Sequence, residues 1–201
     1  NKKNIIKYNL VVVCTGPESN LAKKYLSRKY FDYSYDETSI TAIISHKSIK
    51  NSIARQFFLD EGPLAFLPLS NTETSIVWSI KNKILKDEKN LKSFLNKKLK
   101  EIACKFLQNI KVRSKIESKH LNFQISQKYY FHRVLFFGDI LHLVHPIAGQ
   151  GFNMALRDLV NLEKLLKDKI LLGLDIGSSD ILSEFYNLRK TNNLIHSFGI
   201  D

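Results

Sequence analysis

Methionine occurs once in these 201 residues, at position 154, tryptophan once, at position 78, cysteine twice and proline four times. The two cysteines, Cys14 and Cys104, have apolar sequence neighbours and no metal-ligand spacing, which excludes a disulfide framework and points to a reducing, cytoplasmic setting. Apolar runs are short. The strongest, Leu10–Cys14 and Val134–Phe137, have strand length, well below the roughly 18 residues of a membrane-spanning helix. None of the eight glycines forms a Gly-x-Gly-x-x-Gly loop, and no Gly-x-Ser-x-Gly hydrolase elbow occurs. Position 1 is Asn, and no signal-peptide pattern precedes the first expected strand, so the chain reads as a piece of a longer protein. Internal repeats and low-complexity linkers are also lacking.

Acidic charge is scarce: 19 Asp+Glu stand against 31 Lys+Arg, for a net charge of +12. The excess is spread along the chain, with 25 Lys and only 6 Arg, and Lys, Asn and Ile together make 62 residues. This composition resembles that of an A+T-rich coding background. No basic block is interleaved with aromatics, which argues against nucleic acid as a partner. The 44% hydrophobic content is ample for one large or two small packed domains.

Periodicity predicts a buried strand over Ile5–Cys14, a turn at Thr15-Gly16-Pro17, and a helix carrying Leu21, Ala22, Tyr25 and Leu26, N-capped by Ser19. Short β-type runs follow at Ile40–Ser45, Ala54–Leu59, Leu64–Leu69 and Ser75–Ile80. Breaks at Glu61-Gly62-Pro63 and Ser70-Asn71 suggest an antiparallel sheet. Asp87–Leu107 reads as an amphipathic helix with Leu91, Phe94, Leu95, Leu99, Ile102, Ala103 and Phe106 on one stripe. Strands are expected at Leu121–Ser126 and Val134–Phe137, a helix from about Asn153 past Leu166, and a last helix over Ser179–Ser197 with Ile181, Leu182, Phe185, Leu188 and Leu194 facing inward. The fold class is therefore mixed α/β (α+β).

Residues 134–158, VLFFGDILHLVHPIAGQGFNMALRD, concentrate the chemistry. An apolar strand runs into Gly138-Asp139, placing a carboxylate at a strand's carboxyl end, where open α/β sheets bind ligands and where it suits a sugar hydroxyl pair. Gly149-Gln150-Gly151 stand directly before a helix, where backbone N–H groups and the helix dipole favour an anion such as phosphate. Asp139, His142 and His145 are three apart, but an irregular loop without cysteine or further carboxylates argues against a metal. Arg157-Asp158 either anchor the helix by ion pairing or touch a ligand; the spacing leaves both open.

In combination, Gly138-Asp139, His142, His145-Pro146, Gly149-Gln150-Gly151, Asn153 and Arg157-Asp158 closely resemble the second flavin-binding motif of FAD-dependent aromatic monooxygenases. The wording HPIAGQGFN is similar to the ubiquinone-biosynthesis hydroxylase branch, which includes the 2-octaprenyl-6-methoxyphenol hydroxylases. Glu61-Gly62-Pro63-Leu64-Ala65, Leu67-Pro68-Leu69 and Ser75-Ile76-Val77-Trp78 resemble substrate-domain strands of that branch. Tyr8–Ser19 resembles the strand and turn where the family carries Asp-Gly-x-x-Ser-x-x-Arg, with Thr15 in place of Asp and Ala22 in place of Arg.

The resemblance implies part of a split, Rossmann-like FAD domain (residues 1–30 and 128–201) interrupted by a mainly antiparallel substrate domain (31–127). It implies FAD held by Gly138, Asp139, Pro146, Gly149, Gln150, Gly151, Phe152 and Asn153, with NAD(P)H and oxygen as co-substrates for hydroxylating a polyprenylated phenol. No acid or base is assigned. Phe57, Phe58, Phe66, Leu67 and Trp78 either form the core or offer the substrate an apolar wall, with Phe66 and Trp78 as the named candidates. Peripheral contact with the inner face of a membrane, and a complex with other ubiquinone-biosynthesis proteins, are further implications. The competing expectation is a non-catalytic lipid-binding or assembly subunit, motivated by Thr15, Ala22 and the lack of a nucleotide-binding loop.

Overall fold

A computed structural model describes residues 7–26, 29–86, 88, 90–146 and 149–198, without the side chains of Tyr30 and Phe198. Ile5, Ile6, Asp87, Ile147 and Ala148, which figure in the sequence expectations, lie outside the described residues. In chain order, β1 (Val11–Val13) and α1 (Asn20–Tyr25) lead into a long β2 (Lys29–Ser45). Then come β3 (Arg55–Leu59), β4 (Gly62–Pro68), β5 (Glu73–Lys81), α2 (Asn82–Lys86) and α3 (Leu91–Ala103). They are followed by β6 (Lys111–Val112), β7 (Glu117–Ser126), β8 (Tyr130–Phe131) and β9 (Val134–Phe136). A 3-10 turn (Gly138–Ile140), β10 (His142–Leu143), α4 (Gln150–Leu171) and α5 (Ser179–Phe198) complete the described chain. The chain divides into two compact units, Asn1–Tyr33 with Asn122–Asp201, and Ser34–Leu121.

In the second unit β2, β5, β4 and β3 pair antiparallel in that order, and β6 adds to β2. Side chains alternate across a pleated strand, and here one set is buried: Ile40, Ile44, Leu64, Phe66, Ile76 and Trp78 pack with Phe94, Leu95, Leu99 and Ala103 of α3. The predicted apolar stripe of α3 thus lies on the sheet. Trp78 stacks on Phe94 with ring centroids 5.7 Å apart, and Phe66 meets Phe106 edge to face at 5.3 Å. Cys104, at the C-cap of α3, is a free and exposed thiol, as is Cys14. Apolar sequence neighbours misled here: Cys104 is one step of about 100° round the helix from buried Ala103.

The expected break at Glu61-Gly62-Pro63 begins one residue too late to be a loop: Gly62 and Pro63 already belong to β4, opposite Leu59 and Phe58. Gly62 has φ +130°, and a Cβ there would stand 2.0 Å from the Ser79 carbonyl oxygen. Only glycine lets the two backbones approach that closely. β2 starts far ahead of the expected Ile40. Its first half carries Phe31, Tyr33 and Tyr35 two apart, a strand signal that Asp32, Asp36 and Glu37 mask.

In the first unit β1 and β9 pair in parallel, Val11 opposite Val134 and Val13 opposite Phe136, with β8 antiparallel on the far side of β9. Ser19 caps α1 as expected, its hydroxyl accepting from the Ala22 N–H. α4 buries Met154, Asp158, Leu162 and Leu165 on one face. α5 departs from its predicted stripe. Ile181, Leu182 and Phe185 are buried, but Leu188 is 47% exposed, and Arg189, Asn193 and Ser197 are buried in place of Leu188 and Leu194. The Arg133 guanidinium bonds both carboxylate oxygens of Asp175 and the Asn9 carbonyl, holding the loop after α4 and keeping the Asp175 carboxyl down at about 2. Among the described residues no helix is long and apolar enough to cross a membrane.

The close approach at Gly62 yields a direct test. Gly62→Ala is expected to lower stability by about 2 kcal/mol, whereas Gly16→Ala, with no atom within 4 Å of the added Cβ, changes it little. Urea unfolding followed by Trp78 fluorescence measures both.

Candidate functional site

Parallel pairing of β1 and β9 brings their carboxyl ends to the same edge, and the two turns that carry family-like residues leave from there. After β9, Gly138 (φ +75°) bends the chain into the 3-10 turn holding Asp139. After β1, Thr15–Ser19 leads into α1. Both turns line a cavity of about 240 Å³ that includes Pro17, Lys23, Lys29, Gln124, Ser126 and Asp139. That volume suits part of a ligand rather than a whole drug-sized molecule. Asp139 is exposed, and among the described residues its carboxylate has no partner. The neighbouring cations are engaged, Lys23 with Glu18 at 3.2 Å and Lys29 with Asp32 at 2.9 Å. Thr15, standing where the family carries Asp, donates its hydroxyl hydrogen to Ser19 at 2.8 Å.

α4 packs against the 3-10 turn, and the second group of expected site residues stands at its amino terminus. Gly149 is the N-cap, in the left-handed region at φ +66°, and no side chain caps the helix. Gln150, Gly151, Phe152 and Asn153 form the first turn, whose N–H groups have no intrahelical acceptor. Added Cβ atoms would meet nothing within 4 Å at Gly138 or Gly149, and only Val144 at 3.7 Å at Gly151. The backbone is therefore open to a group approaching it. Pro146, Phe152 and Asn153 are exposed, Phe152 to 69%. A ribose-and-phosphate ligand fits these features: an unpaired carboxylate for hydroxyls, and an uncapped, positively polarised helix terminus for the anion.

The five aromatic and aliphatic candidates of the sheet are separated by its pleat. Phe66 and Trp78 are 1% and 0% exposed, enclosed beneath α3, where they serve as core. Phe57 stacks on Phe106 from the same side. Phe58 and Leu67, 76% and 41% exposed, lie on the opposite face, where Ala65 pairs with Val77.

The feature sequence reasoning left open is Asp158, which is wholly buried. His142 Nε2 lies 3.0 Å from its Oδ2, Arg189 Nε donates to Oδ1 at 2.5 Å, and Asn193 Nδ2 donates to both oxygens at 3.1 and 3.0 Å. Asn193 Nδ2 also donates to the Tyr129 hydroxyl at 3.2 Å, and Arg189 returns a bond to Asn193 Oδ1. Of the two readings of Arg157-Asp158, anchoring holds for Asp158. An ionised carboxylate only accepts, so His142 carries its proton on Nε2. The signal in sequence was the Arg189, Asn193, Ser197 repeat at helical spacing. His145 is buried, at 5% exposure, and among the described residues no group of three or more His, Cys, Asp or Glu converges as a metal site.

Comparison with known proteins comes to the same point. The family model described as squalene epoxidase matches residues 7–197. Ubiquinone hydroxylase UbiL of Rhodospirillum rubrum is 31% identical over 162 residues, covering 80% of this chain and 38% of that protein. The mitochondrial ubiquinone biosynthesis monooxygenase COQ6 of Dictyostelium discoideum is 35% identical over 177 residues, covering 73% and 36%, and that of Danio rerio 28% over 227 residues, covering 96% and 47%. The chain thus spans half or less of the length of these relatives. Among solved structures, PqsL, a probable FAD-dependent monooxygenase from Pseudomonas aeruginosa, has a TM-score of 0.69 at 20% identity, covering 95% of this chain and 54% of that one. The myxobacterial chondrochloren halogenase CndH has a TM-score of 0.73 at 13% identity, covering 94% and 46%. The mixed α/β fold with an antiparallel sheet is the one these FAD-dependent proteins share.

The buried cluster predicts an alkaline signature. Burial pushes the Tyr129 phenol up to about 12 from its ordinary 10.0, the Asn193 bond opposing and the Asp158 charge reinforcing the shift. A raised folded value favours the protonated phenol, so the resulting stability is fully present below pH 10.0 and disappears as pH rises through about 12. Tyr129→Phe is expected to cost about 1 kcal/mol at neutral pH through the lost hydrogen bond. The difference from the parent chain should then shrink between pH 10 and 12, read from urea midpoints across that range.

Proposed function

The chain belongs to the squalene epoxidase family, and from that premise we propose that the protein it forms part of binds FAD and hydroxylates the aromatic ring of a polyprenylated phenol in ubiquinone biosynthesis, with NAD(P)H and oxygen as co-substrates. The observation that carries this reading is an unpartnered Asp139 on a turn packed against α4, whose amino terminus is uncapped, in a chain whose relatives bear the names ubiquinone hydroxylase and ubiquinone biosynthesis monooxygenase. FAD, when bound, supplies the electron transfer and oxygen activation that no side chain here provides.

The chain's own residues bind and orient. With FAD bound, Asp139 would accept hydrogen bonds from its sugar-like hydroxyls, and the N–H groups of Gln150, Gly151, Phe152 and Asn153 would hold its phosphates. Pro146 and Gly149 shape the loop between them. Phe58 and Leu67, with Ala65 and Val77, offer the exposed apolar sheet face to a prenylated ring, keeping water from it. A polyprenyl tail partitions into lipid, so peripheral membrane contact belongs to the same proposal, as does assembly with other proteins of the pathway.

A second reading, a non-catalytic lipid-binding or assembly subunit, draws on Thr15, whose hydroxyl is engaged by Ser19 where the family places a carboxylate. Turnover separates the two. The full-length protein should purify yellow, oxidise NAD(P)H faster when a polyprenylated phenol is added, and yield a product heavier by one oxygen atom; bound flavin without turnover would favour the second reading. Asp139→Ala should weaken flavin retention, and unchanged retention would remove Asp139 from the site.

A further inference from the structure

A buried hydrogen bond ties the two halves of the candidate flavin site together, beside the packing of α4 on the 3-10 turn. Asp139 and His142 are three residues apart, a span of at most about 10 Å, and the intervening Leu141 is tied by its carbonyl to the Ser126 N–H at 2.8 Å. The His142 backbone is held in register against Ile125 of β7, and its side chain reaches Asp158 Oδ2 at 3.0 Å with both side chains fully enclosed. Asp158 in turn lies on the same rigid helix as Gly149–Asn153, five residues beyond Asn153, a rise of about 7.5 Å. Met154, one turn earlier on the same face, is also fully buried. Asp158 is immobilised from behind by Arg189 and Asn193 of α5, and Ser197 closes the far end by donating to the Asn193 carbonyl at 2.7 Å.

We infer that the His142–Asp158 pair positions the flavin site by fixing the separation between the Asp139 carboxylate and the amino terminus of α4. This rests on the functional reading above and deepens it. His142 and Asp158 are positioning residues: both are enclosed, and each acts through the turn or helix that carries it. A hydroxyl-bearing chain ending in a pyrophosphate must satisfy both anchors at once, so the spacing between them sets its affinity and its orientation.

The test uses the full-length protein loaded with FAD, with three readouts: FAD Kd from flavin fluorescence, the visible circular dichroism of the bound flavin, and the melting temperature. Loss of one charge-assisted hydrogen bond corresponds to about a tenfold change in an equilibrium, so His142→Ala is expected to raise Kd by about that factor and alter the visible dichroism. His142→Gln, whose amide can still donate to Asp158, should recover most of both. Ser197→Ala, at the remote end of the network, should lower the melting temperature and leave Kd and dichroism unchanged. If His142→Ala does not fold, Asp158→Asn takes its place under the same criteria. The inference is overturned if the variants melt earlier with wild-type Kd and dichroism, or if Ser197→Ala weakens FAD as much as they do. Wild-type protein that binds no FAD overturns the functional reading instead.

Discussion

A carboxylate without access to water needs its donors inside the protein, and Asp158 draws them from β10 and α5 while itself belonging to α4. Removing one partner of such a pair typically costs about 3–5 kcal/mol, because the charge left behind stays buried. That constraint orders the first unit. It decides which face α5 turns inward below Phe185, where the polar Arg189, Asn193 and Ser197 replace the leucines that a hydrophobic count would choose. It holds the histidine that follows the Asp139 turn, and it fixes the helix whose amino terminus is free of side-chain caps. The Tyr129 phenol is drawn into the same cluster through Asn193.

The second unit is governed by a simpler rule. An antiparallel sheet with one face under an amphipathic helix buries alternate residues, and the helix stripe from Leu91 to Phe106 and the sheet residues from Ile40 to Trp78 match it. The same alternation puts Phe58 and Leu67 on the other side from Phe66 and Trp78, so neighbours in sequence serve the core and the open face in turn.

Much of this was legible before any coordinates. Runs of β-branched and aromatic residues marked the central strands and the Ser19 cap was read correctly, while Gly138-Asp139 with Gly149-Gln150-Gly151 pointed to a candidate site only in combination, since Gly-Asp alone is a common turn. What escaped reading depended on partners far away in sequence. The first half of β2 looked too acidic for a strand until Phe123 was seen stacked against Tyr33. Gly62 looked like a loop residue because the carbonyl that demands a glycine belongs to Ser79. The role of Asp158 could not be chosen from its own helix, since Arg189 and Asn193 lie more than thirty residues away. Such pairings are tertiary, and local pattern carries no information about them.

In the proposed reading, Asp139 and the amino terminus of α4 are two anchors for one nucleotide-like cofactor, and the buried network holds their spacing from within. Hydrogen exchange of the full-length protein, with and without FAD, reads that claim at the backbone. The account predicts that FAD slows exchange in two short segments, the turn from Gly138 to His142 and the first turn of α4 from Gly149 to Met154, with both protected together. FAD binding that leaves these two segments exchanging as before would contradict it.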